Sequence, residues 1–213
     1  MVSRLKPEVL KTVFELKQKP FGSVSVFCNL DGLKCSLTLM TSDCEKRIPL
    51  MELIGRWRKE NEEWYLSQFQ VSAERTTEWF KHSVTEAEDR LLFLINVNGD
   101  FIGHVGLYRF NFENLTCEID NILRGEKVYP GVIGDSIKCL MEWGKKFLGL
   151  RGYSLKVRAD NERALRLYDR LGFRQVRRIP LVCIQGKDGR ELVEKPDAAK
   201  DEIANYYVVM EIK

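Results

Sequence analysis

Residues 161–173, NERALRLYDRLGF, contain two polar side chains that could do chemistry. Helical spacing turns Tyr168 toward the apolar side of a short helix that starts at Asn161 and ends at Gly172. Either Asp160 or Asn161 can cap this helix, but Phe or Leu would fill the core as well as Tyr168 does. A buried phenol needs a hydrogen-bond partner, and a phenol held in a cleft can protonate a departing thiolate. Tyr168 is therefore a candidate general acid.

A second candidate lies in RGEKVYPGVIGD, which joins a predicted strand to a predicted helix. The first N–H groups of a helix have no partner within it and, with the helix dipole, can hold an anion. Glycines such as Gly131 and Gly134 let a phosphate approach the backbone closely. The loop by itself fits either an anion site or an ordinary strand-to-helix turn.

The strand before that loop, NLTCEIDNIL, carries two carboxylates on one face. Alternation turns Leu115, Cys117 and Ile119 to one side of the strand. Glu118 and Asp120 lie on the other side. Two such acids are either proton acceptors or solvated edge residues.

The six cysteines and two histidines do not predict a metal centre. None of the cysteines forms a CxxC pair, and a zinc site needs clustered ligands. We therefore expect no metal and free, mostly buried thiols. The functional alternative is a cysteine nucleophile paired with His104, which the spacing does not favour.

Bulk properties favour a compact protein of one domain, with 213 residues, 44% of them hydrophobic and 31% charged. The net charge is +3 with the signs interspersed, so we expect no nucleic-acid partner. No apolar run is long enough to span a bilayer, and charged residues interrupt MVSRLKPEVLKTVFELKQ. The sequence therefore predicts no membrane association and a cytoplasmic location.

The first 83 residues are predicted to form a helix, a hairpin of two strands and then two more helices. A helix over 7–17 has its apolar face at Val9, Leu10, Val13 and Phe14, with Pro7 in its first turn. Alternation in SVSVFCNLDGLKCSLTLM predicts two strands joined at Asp31-Gly32. Ser42 and Glu45 form a capping box that starts a helix toward Glu60, and another helix covers 73–83.

The remaining elements alternate between strands and helices. An Asn98-Gly99 turn joins two meander strands, and NLTCEIDNIL is the third. The helix after the glycine loop ends at Gly149, and its core face comprises Ile133, Ile137, Leu140, Met141, Gly144, Phe147 and Leu148. YSLKVRA, FRQVRRIPLVCI, RELVE and NYYVVMEI are predicted strands, with a turn at 187–189. This order predicts an α/β fold of the α+β type, a mixed sheet with helices on both faces.

The motif NERALRLYDRLGF, one strand downstream of a glycine loop and helix, resembles the GNAT superfamily of acetyl-CoA-dependent N-acetyltransferases. The resemblance covers residues 36–213, with RLLFLINVNGDFIGHVGLYRF as the central hairpin. The chain is most similar to the branch of ribosomal-protein and nucleotide-aminosugar N-acetyltransferases. The resemblance implies a GNAT-like fold with a mostly antiparallel sheet over 35–213. The preceding 1–34, a helix and strand, are expected to extend the sheet or form a homodimer contact.

The resemblance implies the residues that bind acetyl-CoA. The backbone of Ile119, Asn121 and Ile122 would pair with the pantetheine arm and donate to the thioester oxygen as charge develops there. Asn161 would bind the pantetheine, and Tyr168 would protonate the sulfur. The loop around the pyrophosphate would comprise Tyr129, Gly131, Val132, Ile133 and Gly134.

That loop departs from the family pattern, which reads Gln or Arg, two residues, Gly, one residue, then Gly or Ala. The matching positions here are Val128, Gly131 and Ile133, with Gly134 displaced by one and Pro130 stiffening the turn. Backbone N–H groups make most of the pyrophosphate contacts, so loss of the basic side chain need not abolish binding. The altered loop also keeps open a non-catalytic acyl-CoA sensor on the same fold.

The resemblance leaves the proton acceptor and the amine less defined. Glu118 is the favoured general base because many family members have an acid there, with Asp120 and His104 as alternatives. Arg56, Trp64 and His104 are candidate residues for binding the amine acceptor. The alternative is a structural role for the segment, as a charged helix end with a tryptophan in the core. We expect a primary amine acceptor, first an aminosugar, free or nucleotide-linked, and alternatively a protein N-terminus or another small amine.

Overall fold

The computed structural model describes residues 2–30, 33–68, 70–186 and 189–213. Within them one sheet of nine strands forms the centre, in the order β1-β2-β3-β4-β5-β6-β9-β7-β8. The strands β1 to β9 are Ser25–Leu30, Leu33–Leu39, Arg90–Val97, Asp100–Asn111, Thr116–Arg124, Gly152–Arg158, Arg174–Gln185, Arg190–Glu194 and Ile203–Ile212. Only β5 and β6 pair in parallel among these neighbours, so the predicted mixed, mostly antiparallel sheet is confirmed.

Helices cover both faces of the sheet, as predicted. The α-helices of the described residues, α1 to α5, are Val2–Lys17, Ile48–Glu60, Ala73–Phe80, Val132–Leu148 and Glu162–Arg170. Shorter helical turns are Ser42–Lys46, Glu62–Trp64 and Lys81–Thr85. No helix in the described part of the chain has the length and apolar character needed to cross a membrane.

The strand β3 is buried on both faces and separates two hydrophobic cores. Leu91, Phe93 and Ile95 pack with residues of α1, α4 and α5. Leu92 and Leu94 pack on the opposite face with residues of α2 and α3. Since side chains alternate along a strand, a continuous apolar run is what a strand covered on both faces requires.

Local turn chemistry accounts for several boundaries. Asn98 and Gly99 have φ of 54° and 103°, the pair of positive angles that a two-residue hairpin needs. Gly149, with φ of 69°, ends α4, and Asn161 caps α5 by accepting from the N–H of Ala164 at 3.1 Å. These three predictions are confirmed.

Other predicted boundaries are wrong. The helix α1 begins at Val2, so Pro7 lies inside it, and Leu16 is buried where Phe14 was expected. Residues Ser42–Lys46 form a separate short turn with no side-chain cap, and a new helix, α2, starts near Pro49, which suits the first turn of a helix.

Two apolar positions also differ from the prediction. Phe147 is exposed and stacks on Trp143 at a centroid distance of 5.2 Å instead of entering the core. Leu115 precedes β5 with φ of 56° and belongs to the turn rather than to the alternating strand. The turns predicted at 31–32 and 187–188 lie outside the described residues.

The N-terminal strand joins the same sheet, and the N-terminal helix is hydrogen-bonded to the rest of the chain at its end. The strand β1 pairs with β2 from Ser25↔Thr38 to Leu30↔Leu33. The ammonium of Lys17, at the end of α1, donates to the carbonyl oxygen of Val84 at 3.0 Å and to that of Ala87. The division into an extension over 1–34 and a domain over 35–213 stays a prediction.

Candidate functional site

The sheet opens between β5 and β6. These strands pair over three positions, from Thr116↔Gly152 to Glu118↔Ser154. Beyond Glu118, β5 continues beside β4, whereas β6 continues beside β9 as far as Arg158. The strands therefore diverge, and we name the opening the β5–β6 gap. Backbone groups along its edges have no strand partner across it, which suits an extended ligand.

A bulge in β5 lies beside the gap. The β4–β5 register shifts between His104 and Gly106, and Asn121 has φ of 48°. The imidazole of His104 donates from Nδ1 to the carbonyl oxygen of Asn121 at 2.6 Å, since a carbonyl can only accept. Burial lowers the pKa of His104 to about 4, so the ring is neutral at pH 7. This geometry suits a support for the bulge better than a proton acceptor.

The phenol of Tyr168 is enclosed at the base of α5. Its side chain is 6% exposed and packs edge-on against Phe173 at a centroid distance of 6.3 Å. Among the described residues its hydroxyl has no hydrogen-bond partner, and burial raises the pKa of Tyr168. The phenol therefore keeps its proton at neutral pH and has an unused donor. Asn161 lies at the start of the same helix, after β6.

Backbone conformation dominates the loop that leads into α4. Tyr129 and Gly131 have φ of 52° and 89°, and Gly131 is the cap of the helix. The side chains of Val132 and Ile133 are buried, so these two residues can offer an outside ligand only their backbone. A Cβ on Gly134 would approach Leu167 at 3.2 Å, so close packing of α4 on α5 already explains that glycine.

Arg124, which the sequence did not single out, brings a guanidinium into this loop. Its Nε donates to the carbonyl oxygen of Glu126 at 3.2 Å and its Nη2 to that of Val128 at 2.9 Å. Gly125 lies so close to the indole of Trp57 that a Cβ would come within 2.2 Å of it. The indole N–H in turn donates to the carboxylate of Glu126 at 2.8 Å. The root of the loop is thus fixed to α2.

A negative charge also lies at the start of α4. Asp135 occupies the first helical turn and pairs with Lys138 at 3.3 Å. A carboxylate there interacts favourably with the helix dipole and competes with any other anion for it. The helix start therefore combines backbone N–H groups suited to an anion with the opposing charge of Asp135.

On the side of β5 away from α4, Asp120 forms a largely buried ion pair. Its carboxylate lies 3.0 Å from the guanidinium of Arg90, and both side chains are 13% exposed. Asn121 donates to its Oδ2 at 2.9 Å, but Oδ1 is buried with no partner among the described residues. Burial raises the pKa of Asp120 to about 6, despite the nearby Arg90.

Glu118 forms the neighbouring ion pair. Its Oε2 lies 3.3 Å from Nη1 of Arg109, whose side chain is half exposed. The ring of Tyr108 lies between the pairs, 3.6 Å from the guanidinium carbon of Arg90 and 5.0 Å from that of Arg109. The two acids therefore share one face, as predicted, and burial raises the pKa of Asp120 toward neutrality.

The same face continues onto β6. Because Glu118 pairs with Ser154 in register, Lys156 and Arg158 alternate onto its side of the sheet. Lys156 lies 2.6 Å from Glu194, and Arg158 pairs with Asp160. We name the surface formed by Glu118, Asp120, Lys156 and Arg158 the polar face. Each of its charges has an opposite partner, so the surface is close to neutral.

The three residues predicted to bind the amine acceptor lie in three different places. Arg56 pairs with Glu60 at 3.2 Å and with Glu126 of the loop. Trp64 is partly exposed, with the guanidinium of Arg158 5.8 Å from its ring. His104 is buried at the bulge, as described above. The structure brings Trp64 to the rim of the polar face and gives Arg56 a role in holding the loop.

The side chains that sequence reasoning missed are Arg90, Tyr108, Arg109, Arg124, Lys156 and Arg158. Only their alternation within strands marks them, and no spacing reveals which acid each guanidinium will meet. Among the described residues, no group of three or more His, Cys, Asp or Glu side chains is placed to hold a metal ion.

Comparison with known proteins identifies the architecture. Residues 49–174, more than half of the chain, match the acetyltransferase (GNAT) domain family. The chain belongs to the GNAT acetyltransferase family. The resemblance drawn from the NERALRLYDRLGF motif is thereby confirmed at the level of the family.

Among curated proteins, this GNAT chain is similar to spermidine N(1)-acetyltransferase of Escherichia coli (strain K12). The two are 27% identical over 110 residues, which make up 52% of this chain and 58% of the relative. The alignment thus spans little more than half of the relative's length.

Solved GNAT structures share the fold over most of their length. RimL, a ribosomal L7/L12 alpha-N-protein acetyltransferase, superposes in its apo form with a TM-score of 0.63 at 15% identity, covering 91% of this chain and 98% of RimL. Spermidine N-acetyltransferase from Vibrio cholerae in complex with CoA and spermine gives 0.59 at 18% identity, covering 84% and 94%. At such identities the similarity concerns the fold.

Proposed function

We propose that this GNAT chain transfers an acetyl group from acetyl-CoA to a small primary amine by direct attack. One observation carries the proposal: β5 and β6 separate beyond Glu118, the bulge at Asn121 and the carboxylate of Asp120 lie on β5, and the helix that carries Tyr168 follows β6. Acetyl-CoA supplies the activated thioester. The protein contributes alignment of two bound substrates and two proton transfers.

The donor side would bind acetyl-CoA mainly through backbone groups. Ile119, Asn121 and Ile122 line the edge of β5 along the gap and offer N–H groups to the pantetheine and to the thioester oxygen. The first turn of α4, from Gly131 to Gly134, offers N–H groups to the pyrophosphate. Because Val128 has no charge, we assign the supporting cation of this loop to Arg124.

Tyr168 is the proposed general acid. Its hydroxyl has no hydrogen-bond partner among the described residues, so a thiolate forming in the gap would be the acceptor it lacks. Asn161 is proposed to bind the pantetheine through the part of its amide that capping leaves free.

We propose Asp120, rather than Glu118, as the proton acceptor. A general base works best when its pKa lies near the working pH, and burial raises the pKa of Asp120 to about 6. Its Oδ1 is also the unpaired buried oxygen of the polar face. Glu118 lies beside the half-exposed Arg109 and is assigned to orienting the ammonium group.

The polar face favours an amine whose remainder is neutral or anionic. A polycation binds best where carboxylates outnumber cations, whereas here Glu118 and Asp120 meet Arg109 and Arg90. Trp64 at the rim adds an aromatic surface suited to a sugar ring or a base. We therefore propose an aminosugar, free or nucleotide-linked, as the first acceptor class.

Spermidine is the second candidate acceptor. The observation in its favour is the 27% identity to the spermidine N(1)-acetyltransferase of Escherichia coli. A polyamine would need Glu118 and Asp120 to exchange their arginine partners for its ammonium groups.

Calorimetric titration with acetyl-CoA, followed by a thiol-release assay with glucosamine, UDP-glucosamine, spermidine and an N-terminal peptide, tests the proposal. We expect binding, and a kcat/KM for one of the sugars at least about tenfold above that for spermidine, a difference of about 1.4 kcal/mol. A preference for spermidine would replace the acceptor class and keep the chemistry. Binding without release against every amine would support the sensor alternative.

We also propose that the chain self-associates. The strand β1 is at the edge of the described sheet, and Phe27 on it is 85% exposed. A spermidine N-acetyltransferase from Vibrio cholerae with the same fold has a dodecameric structure. Sedimentation velocity of the wild type and of Phe27→Glu tests whether this edge is the contact; identical sedimentation coefficients would exclude it.

A further inference from the structure

Three thiols meet between the N-terminal strand and α4, outside the proposed active site. Cys28 on β1 lies directly opposite Cys35 on β2 in the strand register. Cys139, on α4, packs against the same apolar core as these two cysteines. Cys139 Sγ also lies 3.5 Å from the carbonyl oxygen of Phe27. Phe27 directly precedes Cys28, so Cys28 has one cysteine opposite it in the sheet and another beside it on α4.

The cluster has one side open to solvent. Cys28 and Cys35 are buried, whereas Cys139 is partly exposed. Cys139 lines a cavity of about 280 Å³ with Phe27, Trp143 and Lys146. A small electrophile can therefore reach Cys139 first, while the other two sulfurs stay behind it.

The surroundings favour a thiolate at the open position. Contact with Cys28 lowers the pKa of Cys139, and Lys146 acts in the same direction against burial and the nearby Glu142. Contact with Cys139 raises the pKa of Cys28, which therefore remains a thiol. A thiolate beside a thiol is the arrangement in which oxidation of one sulfur can be resolved by the other.

We propose that Cys139 and Cys28 form a peroxide-sensitive site that closes to a disulfide, with Cys35 completing the cluster. The Cys139 thiolate attacks one oxygen of a hydroperoxide, the O–O bond breaks, and hydroxide or alkoxide leaves. The Cys28 sulfur then attacks the resulting sulfenic acid, and the Cys28 proton leaves with the sulfenic hydroxyl as water. The peroxide gains two electrons, and the two thiols lose them.

The disulfide would link β1 to α4. The helix α4 begins at Gly131, the cap of the proposed phosphate loop, whereas β1 lies at the sheet edge. The bond would fix the N-terminal strand against this helix without using any residue of the β5–β6 gap. Reduction by a thiol would reverse it.

The test uses full-length protein carrying Cys183→Ser, because Cys183 is exposed and could form disulfides between molecules. The protein is treated with equimolar hydrogen peroxide, alkylated under denaturing conditions and analysed by mass spectrometry. We expect a mass loss of about 2 Da before alkylation, two thiols fewer to alkylate, a linked Cys28–Cys139 peptide, and full reversal by dithiothreitol.

Three variants separate the roles of the sulfurs. Cys28→Ser keeps a hydrogen-bond donor beside Cys139 but cannot form a disulfide, so it should leave a sulfenic acid at Cys139 that dimedone traps. Cys139→Ser should abolish both products. Cys117→Ser, at a buried cysteine outside the cluster, is the matched control and should form the disulfide at the parent rate.

Other products in the parent protein would overturn the proposal. These are a Cys28–Cys35 link, direct overoxidation of Cys139 without a disulfide, or oxidation of Cys44 before Cys139. Because these products are measured in the parent protein, the test remains decisive even if a cluster variant does not fold.

Discussion

The two sides of β5 carry different chemistry. Toward α4, Cys117 and Ile119 enter the apolar core, and the features left for a ligand there are backbone edges and the start of a helix. On the other side, Glu118 and Asp120 meet arginines from β3 and β4. We infer from this contrast that donor recognition depends on backbone shape, whereas acceptor chemistry depends on pairs of side chains.

The largest expected effect is on the donor side, at Tyr168. Tyr168→Phe removes the hydroxyl proposed to protonate the thiolate, so kcat should fall about 100-fold, within the usual range for a general acid. The affinity for acetyl-CoA, measured by calorimetry, should hold because the ring still fills its place beside Phe173.

Tyr153→Phe is the matched control for Tyr168. Tyr153 is another buried tyrosine whose pKa is raised, but its hydroxyl donates to the carbonyl oxygen of Met141. Its loss should lower the midpoint of urea unfolding and leave kcat near the wild-type value. Equal kcat losses in the two variants would remove Tyr168 from the mechanism.

The second effect tests the polar face. Asp120 accepts a proton only when ionised, and its pKa is raised to about 6, so wild-type turnover should fall as the pH drops through about 6. Asp120→Asn should lower kcat about 30-fold, since general bases commonly contribute 10²-fold or more and water can replace part of this. The acid limb of the pH–rate profile should disappear with it.

Glu118→Gln is the paired variant, since it removes the other acid of the same face. We expect a rise in KM for the amine and an unchanged acid limb. If the acid limb of the pH–rate profile disappeared in Glu118→Gln and remained in Asp120→Asn, Glu118 would be the proton acceptor.

A third effect concerns the phosphate loop. Arg124→Met removes two hydrogen bonds to loop carbonyls and the only charge that we assign to the loop's interior. Each charged hydrogen bond is worth on the order of 1.5 kcal/mol, so the Kd for CoA should rise about tenfold or more.

Lys127→Met supplies the comparison for Arg124, because Lys127 is an exposed cation of the same loop. It should change the Kd by less than about threefold, as surface charges usually do. Similar losses in the two variants would mean that general charge, not the position of Arg124, matters.

The smallest expected effect is a gain in affinity for CoA. Asp135→Asn removes the negative charge from the first turn of α4, where a diphosphate is proposed to bind. A charge at a helix start is worth about 0.3–1 kcal/mol, so CoA should bind about threefold more tightly by calorimetry. Weaker binding would place the diphosphate away from this helix start.

The sequence could predict the parts of the fold in which local chemistry decides. Asn161 caps α5, Gly149 ends α4 and the Asn98-Gly99 turn joins β3 to β4, because each position needs a particular residue type. The placement of helices on both faces followed from the order of strands and helices along the chain.

Pairings between distant residues could not be predicted. Asp120 meets Arg90, thirty positions earlier, only because β3, β4 and β5 lie side by side. Likewise, Arg56 meets Glu126 because α2 packs beside the loop, so a residue expected at the acceptor supports the loop instead. Alternation gives the face of a residue but not its neighbour.

Hydrogen–deuterium exchange with and without acetyl-CoA tests the central claim, that the donor binds in the β5–β6 gap, most directly. We predict slowed exchange of backbone amides in 119–122 and 131–134, with β2, at the far side of the sheet, unchanged. Unchanged exchange in both segments, or protection confined to α2 and α3, would contradict the account.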